Sequence, residues 1–155
     1  MANVQAICTS FKVELMLGAH QFGAVTLVSR TSLTAPTTDT FKAALFTTAG
    51  SLGAATTVYS TTNEASGTGY TAGGVTVTNG TAPTSTGTTA FWTPSANFAW
   101  TTVTLTTVDA CLLYNSTQSN RAVGVYTFGS QSVTAGNFTL TMPTNDATNG
   151  LLRIA

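Results

Sequence analysis

The side chains that could carry out acid–base or nucleophilic chemistry are few and scattered along this sequence. His20 is the only histidine, and the carboxylates of Asp39, Asp109 and Asp146 fall in separate predicted loops or strand edges. Nucleophilic catalysis needs a nucleophile beside a base that a third group orients, and the sequence suggests no such set. No two carboxylates are close enough in sequence to suggest a glycosidase pair, although a fold can bring distant ones together. The sequence therefore predicts that the protein is not an enzyme.

The motifs that could bind a metal or a cofactor are equally weak. Cys8 and Cys111 match no metal or redox spacing, and a disulfide between them stays open. Cys111 lies in an apolar run, which predicts a small buried hydrophobic residue. Gly67-Thr-Gly69 and Gly73-Gly74 lack the strand-to-helix context of a phosphate loop, and Asp and Asn are too sparse for a calcium loop. We expect no metal and no cofactor.

The stretch Asp109–Phe128 predicts the element around which the rest of the chain is organised. Two apolar runs, Ala110–Tyr114 and Ala122–Phe128, flank the polar loop Asn115–Asn120, which is the pattern of a β-hairpin. Neither run alternates cleanly between apolar and polar residues. We therefore expect both faces of this hairpin to be covered, by a position inside a sheet, by a second layer or by another subunit.

Several other short segments have the alternation or the apolar runs of β-strands, with turn residues between them. Residues 80–89 predict an exposed connection, and Gly129–Gly136 predicts a polar turn. About eight to ten strands at a spacing of roughly ten residues predict an all-β sandwich or barrel. The further predicted strands and aromatic clusters are Ala24–Ser29, Phe41–Thr47, the region of Val58 and Tyr59, Val75–Thr78, Ala90–Thr93, Asn97–Trp100, Val103–Thr106, Asn137–Met142 and Leu151–Ala155.

Residues 10–23 predict the only helix. Apolar residues recur there at spacings near three and four, Ser10 could cap the start, and Gly18 or Gly23 could end it. The alternation from Phe11 to Leu17 also fits a strand. We divide the chain into an N-terminal arm or helix, residues 1–23, and a β-sandwich domain, residues 24–155.

The composition is unusual in its charge. Hydrophobic residues make up 43% of the chain, but charged residues make up only 6%, against about 25% in a typical soluble domain. Five basic and five acidic residues give a net charge of zero, so nothing favours nucleic acid or an anionic membrane as a partner. Such a chain is poorly protected against self-association. Either hydroxyl and amide side chains keep it soluble, or it is a subunit of a large assembly.

Arginine and tryptophan are the residue types whose place is hardest to predict. Arg121 and Arg153 each open or interrupt an apolar strand, where an arginine either extends to water or forms a subunit contact. Aromatic residues are spread over nearly every strand, which favours a shared core, although Trp92 and Trp100 could instead be exposed anchors. No apolar run is long enough to span a membrane, and the first residues do not form a convincing signal peptide.

Three pieces of the sequence together resemble a known class of proteins. They are SFKVELMLGAHQF, SGTGYTAGGVTVTNG, and CLLYNSTQSNRAVGVYTFG followed by GNFTLTMP and LLRIA. They resemble small virion structural proteins of tailed bacteriophages, and most closely the capsid cement (head decoration) proteins. The resemblance runs from Phe11 to Ala155 and is less distinctive between Thr81 and Trp100. It implies a jelly-roll-like antiparallel β-sandwich with a short N-terminal helix or arm, without catalytic residues.

The resemblance also implies a function. Such a protein binds the outside of the capsid, stabilises contacts between major capsid protein subunits, and acts as a homodimer or homotrimer. It is made in the cytoplasm of the host bacterium and takes no small-molecule substrate. The alternatives are a tail, neck or fibre component of the virion, or a carbohydrate-binding β-sandwich that uses its tryptophans. The candidate interface residues are Phe11, Lys12, Glu14 and His20 of an arm that reaches a neighbour, with Trp92, Trp100, Arg121 and Arg153.

Overall fold

A computed structural model of the chain describes residues 2–16, 20, 22 and 38–155, without the side chains of residues 12–14 and 16. These residues form one helix and eight strands, and all strand pairs are antiparallel. The predicted all-β antiparallel class is therefore confirmed. In chain order the elements are β1 (Ala6–Ile7), α1 (Thr9–Met16), β2 (Phe41–Thr47), β3 (Val75–Thr76), β4 (Thr84–Thr86), β5 (Thr89–Trp92), β6 (Phe98–Asn115), β7 (Arg121–Leu140) and β8 (Leu152–Ile154).

The strands form two sheets that share one hydrophobic core. The larger sheet has the order β1-β7-β6-β2-β3, and the smaller has the order β4-β5-β8. Trp92 of β5 and Leu152 of β8 belong to the same buried cluster as the apolar residues of β2, β6 and β7. The rings of Phe41 and Trp92 join the two sheets, with their centroids 6.2 Å apart. Covering the apolar faces of two sheets in this way makes a β-sandwich.

The predicted central hairpin is confirmed. Its two apolar runs lie in β6 and β7, and β6 is paired on both sides, by β2 and by β7. Consecutive residues along Ala110–Tyr114 and along Ala122–Val125 have almost no exposed surface. Because successive side chains of a strand point to opposite faces, this burial means that both faces of the hairpin are covered. The residues with no exposed surface are Ala110, Cys111, Leu112, Leu113, Ala122, Val123 and Val125.

The predicted breaks in this region are wrong. Asn97–Trp100 and Val103–Thr106 were expected as separate pieces, but both lie in or at the start of the single 18-residue strand β6. The expected polar turn Gly129–Gly136 lies inside the 20-residue strand β7. The β6–β7 register shifts five times, so the extra residues are accommodated as β-bulges. Polar residues and glycine at a bulge look like a turn in the sequence because they interrupt the alternation.

The bulged part of the hairpin bends sharply. Phe128 and Phe138 both belong to β7, and a straight strand rising about 3.3 Å per residue would hold them roughly 33 Å apart. Their ring centroids are 5.5 Å apart. Trp100 of β6 packs on Phe138 as well, at 5.9 Å. The strand pair therefore folds over between these contacts, and we call residues Thr101–Thr107 with Gly129–Gly136 the bend.

The predicted exposed connection at residues 80–89 is only partly correct. Thr84–Thr88 are exposed, but Thr84–Thr86 form a strand that pairs with β5. The turn between β4 and β5 uses Gly87 at a φ of 60°, which suits glycine. The predicted last strand is confirmed in shorter form as β8, which pairs with β5.

The N-terminal helix is shorter than predicted. It covers Thr9–Met16, so Ser10 lies inside it rather than before it. The expected helix ends at Gly18 and Gly23, the domain boundary after residue 23 and the predicted strand Ala24–Ser29 lie outside the described residues.

The described part of the N-terminal segment does not project as an arm. β1 pairs with β7, and Cys8 and Phe11 are buried in the core, with 0% and 2% of their surface exposed. Apolar side chains hold this segment in place because releasing them would expose their surface to water. Over residues 2–16 the segment is part of the sandwich and contains the helix α1, and the division of the chain after residue 23 stays a prediction.

The possible disulfide between Cys8 and Cys111 is not formed. Both cysteines are buried, and neither forms a disulfide. Cys8 follows β1 and donates its amide to Val123 on β7, whereas Cys111 lies on β6 beyond β7. Neighbouring strands are about 4.8 Å apart, so two strand spacings exceed the roughly 7 Å that a disulfide allows between its Cα atoms.

Candidate interaction surface

The bend has one apolar and one polar face. Val103 and Leu105 point into the core, with 0% and 1% of their surface exposed. The opposite face carries hydroxyl and amide groups and no charge. Its exposed side chains are Thr101, Thr102, Thr106, Thr107, Ser130, Gln131, Ser132 and Thr134.

Side chains of the bend hold its backbone in an uncommon shape. Thr102, Thr107 and Ala135 have φ values of 52°, 51° and 46°, a region that residues other than glycine rarely adopt. At each of them a side-chain oxygen from the opposite strand accepts the backbone amide. These bonds replace ladder bonds that a bulge loses, so the shape of the bend is fixed from within. They are Thr102 N to Asn137 Oδ1 (3.1 Å), Thr107 N to Ser132 Oγ (3.0 Å) and Ala135 N to Thr104 Oγ1 (3.1 Å).

The glycine-rich segment that follows Ser66 supports the bend from the other side of β6. Thr104 donates its amide to the carbonyl of Thr68 at 2.9 Å. A side chain at Gly67 or Gly69 would overlap the backbone carbonyl of Thr104 or Thr102. Glycine is needed here because the two backbones are in close contact. This motif is therefore a packing element.

A buried polar cluster closes the tip of the hairpin around Asn115, which has no exposed surface. Its Oδ1 accepts the amides of Thr117 and Gln118, which fixes the orientation of its side-chain amide. Its Nδ2 donates to Asp39 Oδ2 at 2.7 Å and lies 3.1 Å from Nδ1 of His20. Gln118 also donates to Asp39, at 3.1 Å. This cluster ties the tip to residues from distant parts of the chain.

A second polar cluster joins the residue 59–73 segment to the large sheet. Glu64 accepts bonds from the hydroxyls of Tyr59 (2.6 Å) and Tyr70 (2.9 Å) and from the amide of Gly73 (2.7 Å). Tyr114 donates to the carbonyl of Gly73 and stacks on Tyr59. Burial, reinforced by the Glu64 carboxylate, raises the pKa of Tyr114 to about 12. The phenols are therefore neutral donors, and the cluster offers structure and no reactive group.

The described acidic side chains are all occupied within the chain. Asp39 and Glu64 accept the bonds just given, and Asp109 accepts one from an amide side chain near the N-terminus. Asp146 accepts bonds from the turn that follows it, and those from Asn149 hold the pKa of its carboxyl below the ordinary value. None of these four carboxylates belongs to a fully exposed residue.

The described surface is consequently almost free of charge. Among the charged side chains whose burial is described, only those of Arg121 and Arg153 are exposed. Neither the stretch between Glu64 and Asp109 nor the stretch from residue 122 to 145 contains a charged residue or histidine. Over the described residues, two arginines are therefore the only exposed charges that could repel a neighbouring molecule or steer a partner.

Four of the predicted interface residues are core residues. Phe11, His20, Trp92 and Trp100 have 2%, 9%, 2% and 4% of their surface exposed. The alternative of exposed tryptophan anchors is therefore wrong, and the expected place of both tryptophans in the core is confirmed. Trp92 gives its indole N–H to the carbonyl of Thr81 at 2.8 Å, as a buried tryptophan usually requires.

The other four candidates remain predictions. Arg121 and Arg153 are exposed at the start of β7 and on β8. Lys12 and Glu14 belong to α1, but their side chains lie outside the described residues.

The described residues form clefts but no metal-binding cluster. Across residues 2–16, 20, 22 and 38–155, no three His, Cys, Asp or Glu side chains are grouped to hold a metal ion. Over the same residues, no helix has the length and apolar character needed to cross a membrane. A cleft of about 420 Å³ lies between β1 and the segment before β8. Its Tyr126 hydroxyl already donates to Leu151, and its Asn149 is held by Asp146.

No family model matches the chain, and no curated protein or solved structure is significantly similar to it. The protein is therefore classified here by its fold and by the character of its described surface. It is an all-β antiparallel sandwich with an uncharged, rigidly held bend.

Proposed function

We propose that this protein is a structural component of a bacteriophage virion. In this proposal it binds the outside of the capsid and stabilises contacts between major capsid protein subunits. The resemblance in the sequence suggested this role, and an all-β sandwich without a described ligand site agrees with it. The arrangement of strands within a jelly roll, and a homodimer or homotrimer as the bound form, are parts of the same proposal.

The observation that carries the proposal is the shortage of free charge. A soluble monomer normally relies on exposed charges of both signs to prevent association. Here the four described carboxylates accept hydrogen bonds from within the chain, and among the charged residues whose burial is described the exposed ones are two arginines. A neutral surface costs little to desolvate compared with a charged one, so it suits a subunit that spends its life in contact with others.

The bend is the surface that we expect to meet the capsid. Its shape is fixed by cross-strand bonds, so little conformational entropy is lost on binding. Its exposed hydroxyl and amide groups can pair with backbone groups of a neighbour. Each contact is modest, and many symmetry-related copies bound by oligomers would supply the strength.

Arg121 and Arg153 would complement this neutral contact. An exposed arginine can form a forked pair with a carboxylate of a partner. Arg121 opens β7 at the hairpin tip, far along the chain from Arg153 on β8. If only one of the two arginines contacts the capsid, replacing that arginine with alanine lowers capsid binding. The alanine variant of the other arginine is then the matched control and should bind as the wild type does.

The test is the location and copy number of this chain in purified particles. The proposal predicts hundreds of copies distributed over the capsid surface. A few copies at a single vertex would replace it with a tail or neck role, and copies along a fibre would replace it with a fibre role. Absence from particles together with glycan binding would support the carbohydrate-binding alternative, which the burial of Trp92 and Trp100 disfavours.

A further inference from the structure

The chain contains two Asn-Gly pairs, Asn79-Gly80 and Asn149-Gly150. In such a pair the backbone nitrogen of glycine can attack the carbon of the asparagine side-chain amide. Glycine permits this because it has no Cβ to hinder the approach and allows a wide range of backbone conformations. The two pairs have the same covalent chemistry, so any difference between them comes from their surroundings.

At Asn149 the reacting groups are restrained. Its Nδ2 donates to both carboxylate oxygens of Asp146, at 3.1 and 2.9 Å. The amide of Gly150 donates to the backbone carbonyl of Asp146 at 2.9 Å. The leaving nitrogen and the attacking nitrogen are both held in place next to a negative charge.

At Asn79 the surroundings favour the reaction. The Nδ2 atom is buried and has no hydrogen-bond partner, so its departure breaks no such bond. The Oδ1 atom accepts the longer branch, at 3.2 Å, of an indole N–H that Trp92 shares with Thr81 O at 2.8 Å, and this donor lies where negative charge develops. The amide of Gly80 donates to Ser95 Oγ at 3.2 Å, and that hydroxyl donates onward to Thr78 O at 3.0 Å.

We propose that Asn79 is a site of self-modification, at which the chain converts this amide to a carboxylate. The nitrogen of Gly80 forms a bond to Cγ of Asn79 while the bond from Cγ to Nδ2 breaks. The proton of the Gly80 amide passes by way of Ser95 Oγ, whose residue is exposed, to hydroxide in the buffer, and Nδ2 takes up a proton from water and departs as ammonia. Water then opens the cyclic imide at either carbonyl, which gives aspartate or isoaspartate.

The product would change the character of this region. Residues 65–108 contain no charged group, so the reaction would introduce the first one, beside Trp92. A carboxylate there can still accept the indole bond. This inference does not depend on the virion role, because it concerns only the groups around residue 79.

The experiment uses the folded chain kept in mildly alkaline buffer and sampled over time. Peptide mass spectrometry then measures conversion at residues 79 and 149 in the same sample. We expect Asn79 to react at least about tenfold faster, since a single donor to the developing oxyanion can be worth that much. Equal rates, or faster conversion at Asn149, would overturn the proposal.

Two variants test the role of the hydroxyl. Ser95→Ala should slow conversion at residue 79 and leave residue 149 unchanged, whereas Ser95→Thr should retain the reaction. An unchanged or faster rate at Asn79 in Ser95→Ala contradicts the proposed proton path. In denaturant the two sites should react at similar rates, which shows that the fold causes the difference. The wild-type comparison of the two sites decides the main proposal even if a variant folds poorly.

Discussion

The two halves of the β6–β7 hairpin are stabilised in different ways. In the half near the tip, Ala110–Asn115 pairs with Arg121–Thr127, and apolar side chains are buried on both faces. In the bend, one face is exposed and the register shifts repeatedly. There, side-chain oxygens hold backbone amides at positive φ. Hydrophobic burial thus fixes the position of the first half, whereas polar bonds fix the shape of the second.

The largest predicted effect tests the first half of this difference. Leu112→Ala should lower the free energy of unfolding by about 2–5 kcal/mol, because it leaves a cavity in a fully buried site. Thr106→Ala, at an exposed position in the bend, should change it by less than about 0.5 kcal/mol. Denaturant titration measures both. Similar losses in the two variants would contradict the division between the halves.

Substitutions in the polar cluster at the hairpin tip should lower the free energy of unfolding less than those in the core but more than those in the bend. Asn115→Ala removes the acceptor of two amides and the donor to Asp39, so we expect a loss of about 2–3 kcal/mol. Gln118→Ala removes one bond to Asp39 and should cost about 1 kcal/mol. The same denaturant measurement applies. Equal costs would mean that Asn115 is not the centre of the cluster.

In the bend, the loss of one cap should have a smaller effect. Asn137→Ala leaves the amide of Thr102 without its partner and should destabilise the protein by about 1 kcal/mol. Thr139→Ala changes a neighbouring exposed strand residue that holds no bulge amide, and it serves as the control. Hydrogen exchange at the amide of Thr102 should rise in the first variant only. Unaltered exchange there would remove the capping role.

Relief of backbone strain should give a smaller change of opposite sign. Thr102→Gly removes a strain of about 1–2 kcal/mol at positive φ and adds about 0.5–1 kcal/mol of chain entropy, so stability should stay level or rise slightly. Thr101→Gly gains no such relief and should lower stability by up to about 1 kcal/mol. Thermal unfolding compares the pair. A lower stability of Thr102→Gly than of Thr101→Gly would show that the φ value is not strained.

The tyrosines in the half near the tip should make the free energy of unfolding fall at alkaline pH. Around neutral pH they should have no effect on it. Burial raises the pKa of Tyr114 to about 12 and also raises that of Tyr126, whereas an unfolded tyrosine ionises near about 10. The folded state therefore keeps protons that the unfolded state loses, and stability falls as pH rises above about 10. Phenolate absorbance and denaturant midpoints measure this together. Tyr126→Phe should make the decline less steep, and an unchanged slope would contradict the assignment.

The sequence predicted the parts of the fold that depend on apolar pattern. The runs Ala110–Tyr114 and Ala122–Phe128 identify a hairpin with two covered faces, and Phe41–Thr47 is a strand over the predicted range. Burial of Trp92 and Trp100 also followed from the spread of aromatic residues. These features could be predicted because hydrophobic burial depends on which side chains are apolar and on how they are spaced along the chain, and the sequence shows both.

The bend could not be predicted, because its structure depends on partners distant in sequence. Gly129–Gly136 contains turn-forming residues, yet it stays within the single strand β7 and pairs with β6. The positive φ of Thr102 is stable only because Asn137 accepts its amide, and nothing in the local sequence indicates that bond. The hydrogen bonds of the carboxylates could not be predicted either, because Asp39 and Asn115 come together only in the folded chain.

Binding of the purified chain to capsids that lack it tests the proposed role most directly. Bound and free protein would be separated by sedimentation at low and at high salt. Because the contact is expected to be neutral, we predict saturable binding that high salt weakens only slightly. A chain that remains a stable, soluble monomer and does not sediment with such capsids at either salt concentration would contradict the role.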